Sequence, residues 1–392
     1  MKFALWVAWK ELSNLVRDRR ALFGNLVLPI LLMPLFMYGP TALIGNLAGQ
    51  AEAEVQRVGV IGVDEALVAK LREAHLEPVS VADPVEAVQE ARVEVALVHS
   101  DGEYVIYARL SGSQLKSQVV VAKVRAVLEE RKNALILERL QAAGLDPSVL
   151  RPFSVRLEDA SKPAEQAAGF LGFLIPMFLL IFILQGGQPL AIDATAGEKE
   201  KGTLEVLLSA PVDLKHLVFG KFLATHVMAV GATLSGLLGL ILGGQLMRRV
   251  LPEAFTLEGS EMMGGALALG AGTYLALLVT GVLFAGLLVS VQLTLALYAR
   301  SYKEAQAYMA PLYFMLIIPV MFLTFSSEFL RVGDGLYLVP LVNTFLLIDG
   351  LIKGAAEPIQ ILLTWASTAA YALLALGVAY YSFQREEVIF RN

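Results

Sequence analysis

Six apolar runs, each long enough to cross a bilayer, constrain this chain more than any other feature. A spanning helix needs about 20 mostly apolar residues, and the runs lie at 21–47, 167–192, 217–247, 264–299, 307–325 and 359–383. The fourth exceeds one crossing. It predicts either a tilted, protruding helix or one with a broken start at Gly264, Gly265, Gly270 and Gly272. Only 17% of the 392 residues are charged, against about 25% in a soluble domain. The expected fold class is therefore an α-helical polytopic membrane protein with six transmembrane helices. With no cysteine and four scattered histidines (His75, His99, His216 and His226), there is neither a thiolate nor a metal-ligand spacing. No catalytic residue, metal site or bound cofactor is expected, and no nucleic acid partner.

Basic residues orient the runs. With the N-terminus inside, the inner segments carry Lys2, Lys10, Arg17, Lys199, Lys303 and Arg385 among others. The short outer loops carry Arg248, Arg249, Arg331 and Lys353, of which the first two run against the trend. Both termini are then cytoplasmic in a multi-pass plasma-membrane protein. The first run is too long for a signal peptide, whose apolar part is about 7–15 residues. Residues 1–20 ahead of it place Leu5, Trp9, Leu12 and Val16 on one helical face, with Lys10, Asn14 and Arg17 opposite. Either this is a helix lying among lipid headgroups or a plain extension of the first span.

Residues 48–166 form a polar insert that the topology places outside. It reads as α/β: strands at Arg57–Gly62, Val79–Val81, Val93–Val98 and Tyr104–Arg109, and helices at Asp64–Ala74, Pro84–Ala91 and Ser113–Ala143. Asp101-Gly102 signals a hairpin turn, Gly144 ends the long helix, and Arg151–Leu157 suits a last strand. Gly59-x-x-Gly62 lacks the G-x-G-x-x-G spacing that cradles a dinucleotide. A structural or cargo-contacting domain is the better reading.

Between the second and third runs lies Glu198-Lys199-Glu200-Lys201-Gly202-Thr203-Leu204-Glu205. Such a charge cluster belongs in water at a membrane face. Thr203 suits the cap of a short helix with Leu204, Leu207 and Leu208 on one face. Glu205 complements its dipole, and Pro211 stops it within about two turns. That helix suits docking into a groove of a soluble partner, or it rests on headgroups as a solvated loop.

The run from Glu198 to Pro211, with Gly220-Lys221 after it, resembles the intracellular loop of type-2 ABC exporter permeases. Ala299-Arg300-Ser301-Tyr302-Lys303-Glu304-Ala305-Gln306-Ala307-Tyr308 is similar to the cytoplasmic turn before the fifth span of sodium-efflux permeases of the NatB kind. Val339-Pro340-Leu341-Val342-Asn343-Thr344 matches their outer segment before the last span, and the resemblance covers essentially the whole chain. It implies a permease subunit of an ATP-driven exporter, working by alternating access, with an inserted extracytoplasmic domain. The chain has no G-x-x-x-x-G-K-[ST] phosphate loop, so a separate ATP-binding subunit, in two copies, would carry ATP and Mg, beside a second permease subunit. The resemblance makes 198–211 the coupling helix, with Glu198, Glu200, Gly202, Thr203, Leu204, Glu205 and Leu208 as coupling residues. Lys303, Glu304 and Gln306 form a second cytoplasmic motif. The cargo implied is sodium; related permeases move peptides, antibiotics or lipids, and a mechanotransmitter moving the outer domain without cargo is a further alternative.

Polar side chains at membrane depth are costly and so informative. Gln185 and Gln188 lie near the inner end of the second span, and Gln292 lies in the fourth. Residues 328–358 are half apolar and broken by glycines, which suggests an external re-entrant segment with Asn343, Thr344 and Asp349 facing a vestibule. These six residues are candidates for a translocation path. Interhelical hydrogen bonds account equally for the glutamines, and a solvated half-helix end for Asp349. Pro176, Pro189, Pro311 and Pro319 should kink or end their spans. Gly236, Gly239, Gly243 and Gly244 allow close helix contact, either within the subunit or across a dimer seam.

Overall fold

Backbone amides in lipid must be paired within their own segment, and the apolar runs accordingly fold as long helices. The computed structural model of the protein describes residues 2–37, 39, 55–100, 102–109, 115–146, 171–209, 213–250, 269–326, 333–385 and 387. They fall into two compact units, Met1–Thr41 with Ser161–Asn392, and Ala42–Ala160.

The first unit begins with α1 (Lys2–Arg17) and the first span, α2 (Arg19–Met37). Asp18 breaks them apart and caps α2, accepting from the N–H groups of Arg20 and Ala21 at 3.0 and 3.1 Å. The amphipathic face expected on α1 exists but points outward. Leu5, Trp6, Trp9 and Val16 are exposed, while Ala4, Val7, Ala8, Glu11 and Leu15 are buried. Residues 40–47 of the first run lie outside the described residues.

In the second unit, β1 (Gln56–Ile61), α3 (Glu65–Glu73), β2 (Leu76–Ser80), α4 (Pro84–Gln89), β3 (Val95–Ser100), β4 (Glu103–Ala108) and α5 (Leu115–Ala142) follow in order. The sheet order is β2-β1-β3-β4, parallel except for the β3–β4 hairpin. Side chains alternate across it: Val95 and Leu97 pack with Leu67, Leu71, Val120 and Val124, whereas Ala96 packs with Ala87 and Val88. The second strand starts earlier than Val79, because His75 turns the chain sharply (φ 58°) straight into Leu76. Pro78 fits there because β2 is an edge strand. Asp101 and Arg151–Leu157 lie outside the described residues.

Returning to the first unit, α6 (Leu171–Ile192) continues through a π-turn, Asp193–Gly197, to a last turn at Glu198–Glu200. After α7 (Thr203–Ser209) come α8 (Leu214–Val250), α9 (Ala271–Tyr298) and α10 (Tyr302–Ser326). A 3-10 turn at Asp334–Leu338 leads to the short α11 (Val342–Ile352), and α12 (Pro358–Phe383) is the last span. None of the four prolines ends its helix: Pro176 and Pro189 lie inside α6, Pro311 and Pro319 inside α10. The fourth span starts cleanly at Ala271 after an extended Gly270; Gly264 and Gly265 lie outside the described residues.

Spans α6, α8 and α9 form the centre, 56–61% buried, and α2, α10 and α12 the rim, 11–22% buried. Small residues let the central helices meet: a Cβ on Gly186 would fall 2.4 Å from that of Ala232, and one on Gly281 2.4 Å from Thr233. Of the four α8 glycines expected to allow close contact, three, Gly236, Gly239 and Gly243, meet side chains or backbone of the same subunit. Gly239 faces Ile30 and Met33 of the first span, Gly243 faces Pro34, and Gly236 faces Phe182. A Cβ on Gly239 would lie 2.9 Å from the Ile30 carbonyl oxygen, backbone that cannot swing aside. We expect Gly239→Leu to lower stability by about 1–3 kcal/mol, the usual cost of overpacking. Gly377→Leu, with nothing within 4 Å of its Cβ, should stay close to wild type in the same thermal unfolding assay in detergent.

Candidate functional site

The charged loop is built by a division of labour among four consecutive side chains. Glu198, at the end of α6, is 7% exposed. It takes a hydrogen bond from Lys10 of α1 (2.8 Å) and pairs with Lys221 of α8. Lys221 is wholly buried, lies 3.6 Å from Glu11 of α1, and donates to the Ala194 carbonyl in the π-turn at 2.7 Å. Lys10 also pairs with Glu11 (3.1 Å). Two cations and two anions from three segments thus neutralise one another. Burial pulls the Lys10 pKa down, but the hydrogen bond to Glu198 and the negative charge of Glu11 outweigh it, and the pKa ends above its ordinary value. The α1–α8 approach that this needs is permitted by Gly220, where a Cβ would stand 2.7 Å from the Ala4 carbonyl oxygen.

The next three charges reach other elements. Lys199 donates to the Leu297 carbonyl at the end of α9 (2.8 Å), as suits a cation at a helix C-terminus. Glu200 accepts from the Tyr302 N–H at the start of α10 (2.8 Å), the matching arrangement for an anion. Lys201 pairs with Asp193 at 2.9 Å, which holds its pKa above the ordinary value. Gly202 then reverses the chain with φ +68°, a conformation that favours glycine. Thr203 differs from its expected capping role, because its hydroxyl donates to the Glu198 carbonyl at 3.1 Å.

The apolar face of α7 also turns inward. Leu204 is fully buried with Val218 of α8, Leu297 of α9 and Phe383 of α12, an attachment worth about 2 kcal/mol as burial of one leucine. The Leu208 side chain lies outside the described residues. What the loop offers to its surroundings is therefore Gly202, Thr203, Glu205 and Val206, the last 70% exposed. Glu198 and Leu204 are corrections to the expected contact surface. Both are consumed by internal packing and pairing.

The second motif is a helix start. Ser301 accepts from the Glu304 N–H (3.2 Å) while Glu304 accepts from the Arg300 N–H (2.7 Å) and from the Tyr308 hydroxyl (2.6 Å), a variant of the capping box. Glu304 is thus structural, and Lys303 and Gln306 are exposed.

Of the six candidates for a polar path, four meet in two local pairs, Gln185 with Gln188 and Asn343 with Thr344. Gln185 and Gln188 both accept from the Tyr313 hydroxyl of α10, the latter at 2.8 Å. α6 runs on to Glu200, so Gln185 stands some 15 residues or roughly 22 Å of helix before that end. Gln292 is fully buried and donates to the Leu184 carbonyl (2.7 Å), an interhelical bond. Asn343 and Thr344, expected to face a vestibule, are sealed in the core at 1% and 0% exposure. Asn343 binds Ser367 and Thr368 of α12 (2.9 and 3.0 Å) and accepts from Thr344. It latches α11 to the last span. Asp349 pairs with Lys353 at 2.8 Å. Glu11 and Tyr313 carry no signal in the sequence; Lys10 enters there only as a basic residue on the polar face ahead of the first span and Lys221 only with Gly220 after the loop, neither as a partner of Glu198.

The family described as ABC-2 family transporter protein matches residues 5–388. The chain is also 28% identical over 390 residues to the ABC transporter permease protein NatB of Bacillus subtilis (strain 168), covering 96% of this chain and 97% of that protein.

Removing one member of a buried charge group strands its partner, at a cost of about 3–5 kcal/mol. Lys221→Met should therefore lower the unfolding midpoint strongly. Adding Glu198→Gln should restore much of the loss, because the stranded charge is gone. Equal, additive losses in the two single variants would show that the pair is not coupled.

Proposed function

The chain belongs to the ABC-2 transporter family and is a permease subunit of an ABC transporter; from that premise we propose that it is the membrane half of an ATP-driven exporter with sodium ions as its cargo. Family membership implies an ATP-binding partner subunit. In this reading two such subunits, carrying ATP and Mg, meet two permease subunits from the cytoplasm. Both termini of this chain lie on that side, the segment 198–211 is the coupling helix, and the unit Ala42–Ala160 lies outside the cell.

The observation that carries the coupling assignment is the way α7 is mounted. Its apolar face is anchored by Leu204 and its preceding charges are all engaged. A push on Gly202, Glu205 or Val206 is passed to α6, α8, α9, α10 and α12 instead of being lost in a flexible loop. Closure of the ATPase pair would press on this helix and on Lys303 and Gln306, and the spans would switch access from inside to outside. Covalent chemistry by this chain has no part in the cycle.

For cargo, the supporting feature is the mid-span group Gln185, Gln188 and Tyr313. Gln185 is exposed on the surface of the subunit, and an amide facing lipid is unfavourable, which favours a second permease subunit or a water-filled path against this face. Amide and hydroxyl oxygens suit a hard cation such as sodium. Peptide, antibiotic or lipid cargo would use the same face. The sealing of Gln292, Asn343 and Thr344 favours, as a second reading, a mechanotransmitter that moves the outer unit without cargo.

Reconstitution with the ATPase subunit distinguishes these. ATP-dependent sodium flux into or out of proteoliposomes is expected, falling at least tenfold in Glu205→Lys and in Tyr313→Phe while each complex still assembles. Glu205 is exposed, so its replacement should shift stability by no more than about 0.5 kcal/mol. Assembly and ATP hydrolysis without sodium flux would overturn sodium as cargo and leave the permease assignment standing.

A further inference from the structure

A groove of about 400 Å³ opens on the outside of the bundle between α1, the start of α8 and the end of α12. Ala4, Val218, Phe219, Leu376 and Tyr380 line it together with Lys215 and His216, and nearly all of the lining surface is apolar. The groove sits where the spans end. Val218 and Phe383 interlock with Leu204 and Leu297, so the start of α8 and the ends of α9 and α12 are level. Aromatic side chains mark that level as well. Trp6 and Trp9 are exposed on α1, and Tyr381 is exposed on α12 with the Arg385 guanidinium 5.0 Å above its ring. Tryptophan and tyrosine concentrate at headgroup depth.

We propose that this groove binds one anionic glycerophospholipid, with an acyl chain along Phe219 and Leu376 and the headgroup phosphate at Lys215. Charge selects the headgroup. Each of the three walls brings a cation to this end: Lys2 just before Ala4, Lys215 itself, and Arg385 little more than one turn beyond Tyr380. The acids nearby in sequence are Asp213, whose carboxylate accepts from the Lys215 N–H at 3.0 Å, and the pair Glu386 and Glu387. Among the described residues no ion pair engages the Lys215 ammonium, in contrast to Lys10, Lys201 and Lys221 on the same face. Apolar walls select a chain rather than a free phosphate. A lipid there would touch α1 and α8 together and stiffen the joint on which α7 is mounted.

The full chain, purified in detergent, is mixed with equal phosphatidylglycerol and phosphatidylcholine of the same acyl chains, and retained lipid is counted by native mass spectrometry. Phosphatidylglycerol should be retained about fivefold over phosphatidylcholine, the effect of one lysine near an anionic headgroup. Lys215→Gln should bring the ratio to near unity, and excess glycerol phosphate should displace nothing. Leu376→Trp, which fills the groove, should release both lipids. An unchanged ratio in Lys215→Gln, or displacement by glycerol phosphate, overturns the proposal. Lys215 is exposed, so that arm decides the matter even if the tryptophan disturbs packing.

Discussion

The ammonium of Lys221 lies where water does not reach, and its neutralisation organises one end of this molecule. Desolvating an ion costs several kcal/mol, recovered only if opposite charges and hydrogen-bond acceptors meet it in good geometry. Here the partners come from elsewhere in the chain: Glu198 from the end of α6, Glu11 from α1, and a carbonyl from the π-turn. The requirement fixes three things together. α1 must lie against α8, α6 must run on past its prolines to present Glu198, and the chain must turn at Gly202 to carry α7 back across the bundle.

That arrangement bears on how force would enter the membrane part. A short helix on a loose loop absorbs displacement by bending its connections. α7 has no such slack, because the charges before it are engaged with α1, α6, α8, α9 and α10 and its buried leucine reaches α12. At mid-depth the design differs. Thr225, Thr233, Ser290 and Thr294 turn back onto carbonyls of their own helices, Gln292 and Asn343 donate between helices, and Gln185, Gln188 and Tyr313 form a small amide–hydroxyl group between a central and a rim helix.

Much of this could be read from the residues. The six spans follow from run length, and the strands and helices of the inserted unit follow from alternation, helical periodicity and the Gly144 stop. The charged loop was evident from its isolation between apolar runs. Its inward orientation was not, since Glu198 and Lys221 are separated by 22 intervening residues and Lys10 comes from the opposite end of the chain. Local patterns report which residues prefer water; they do not report which distant charge will substitute for it. Asn343 illustrates the same limit. An asparagine in a broken apolar stretch suggests a vestibule, yet α11 packs so deeply that Ser367 and Thr368 of α12 replace water. The glycines of α8 were ambiguous between two partners, and only the position of Ile30 and Pro34 resolves Gly239 and Gly243 as intrasubunit contacts.

The central claim is that one buried charge group holds α1 and the loop to the same point of α8. Hydrogen-exchange mass spectrometry of wild type and Lys221→Met measures it directly. The account predicts that amides of Lys2–Arg17 and of residues 198–209 lose protection together in the variant. The inserted unit, Ala42–Ala160, should exchange as before. Loss of protection in α1 alone, with the loop unchanged, would contradict it.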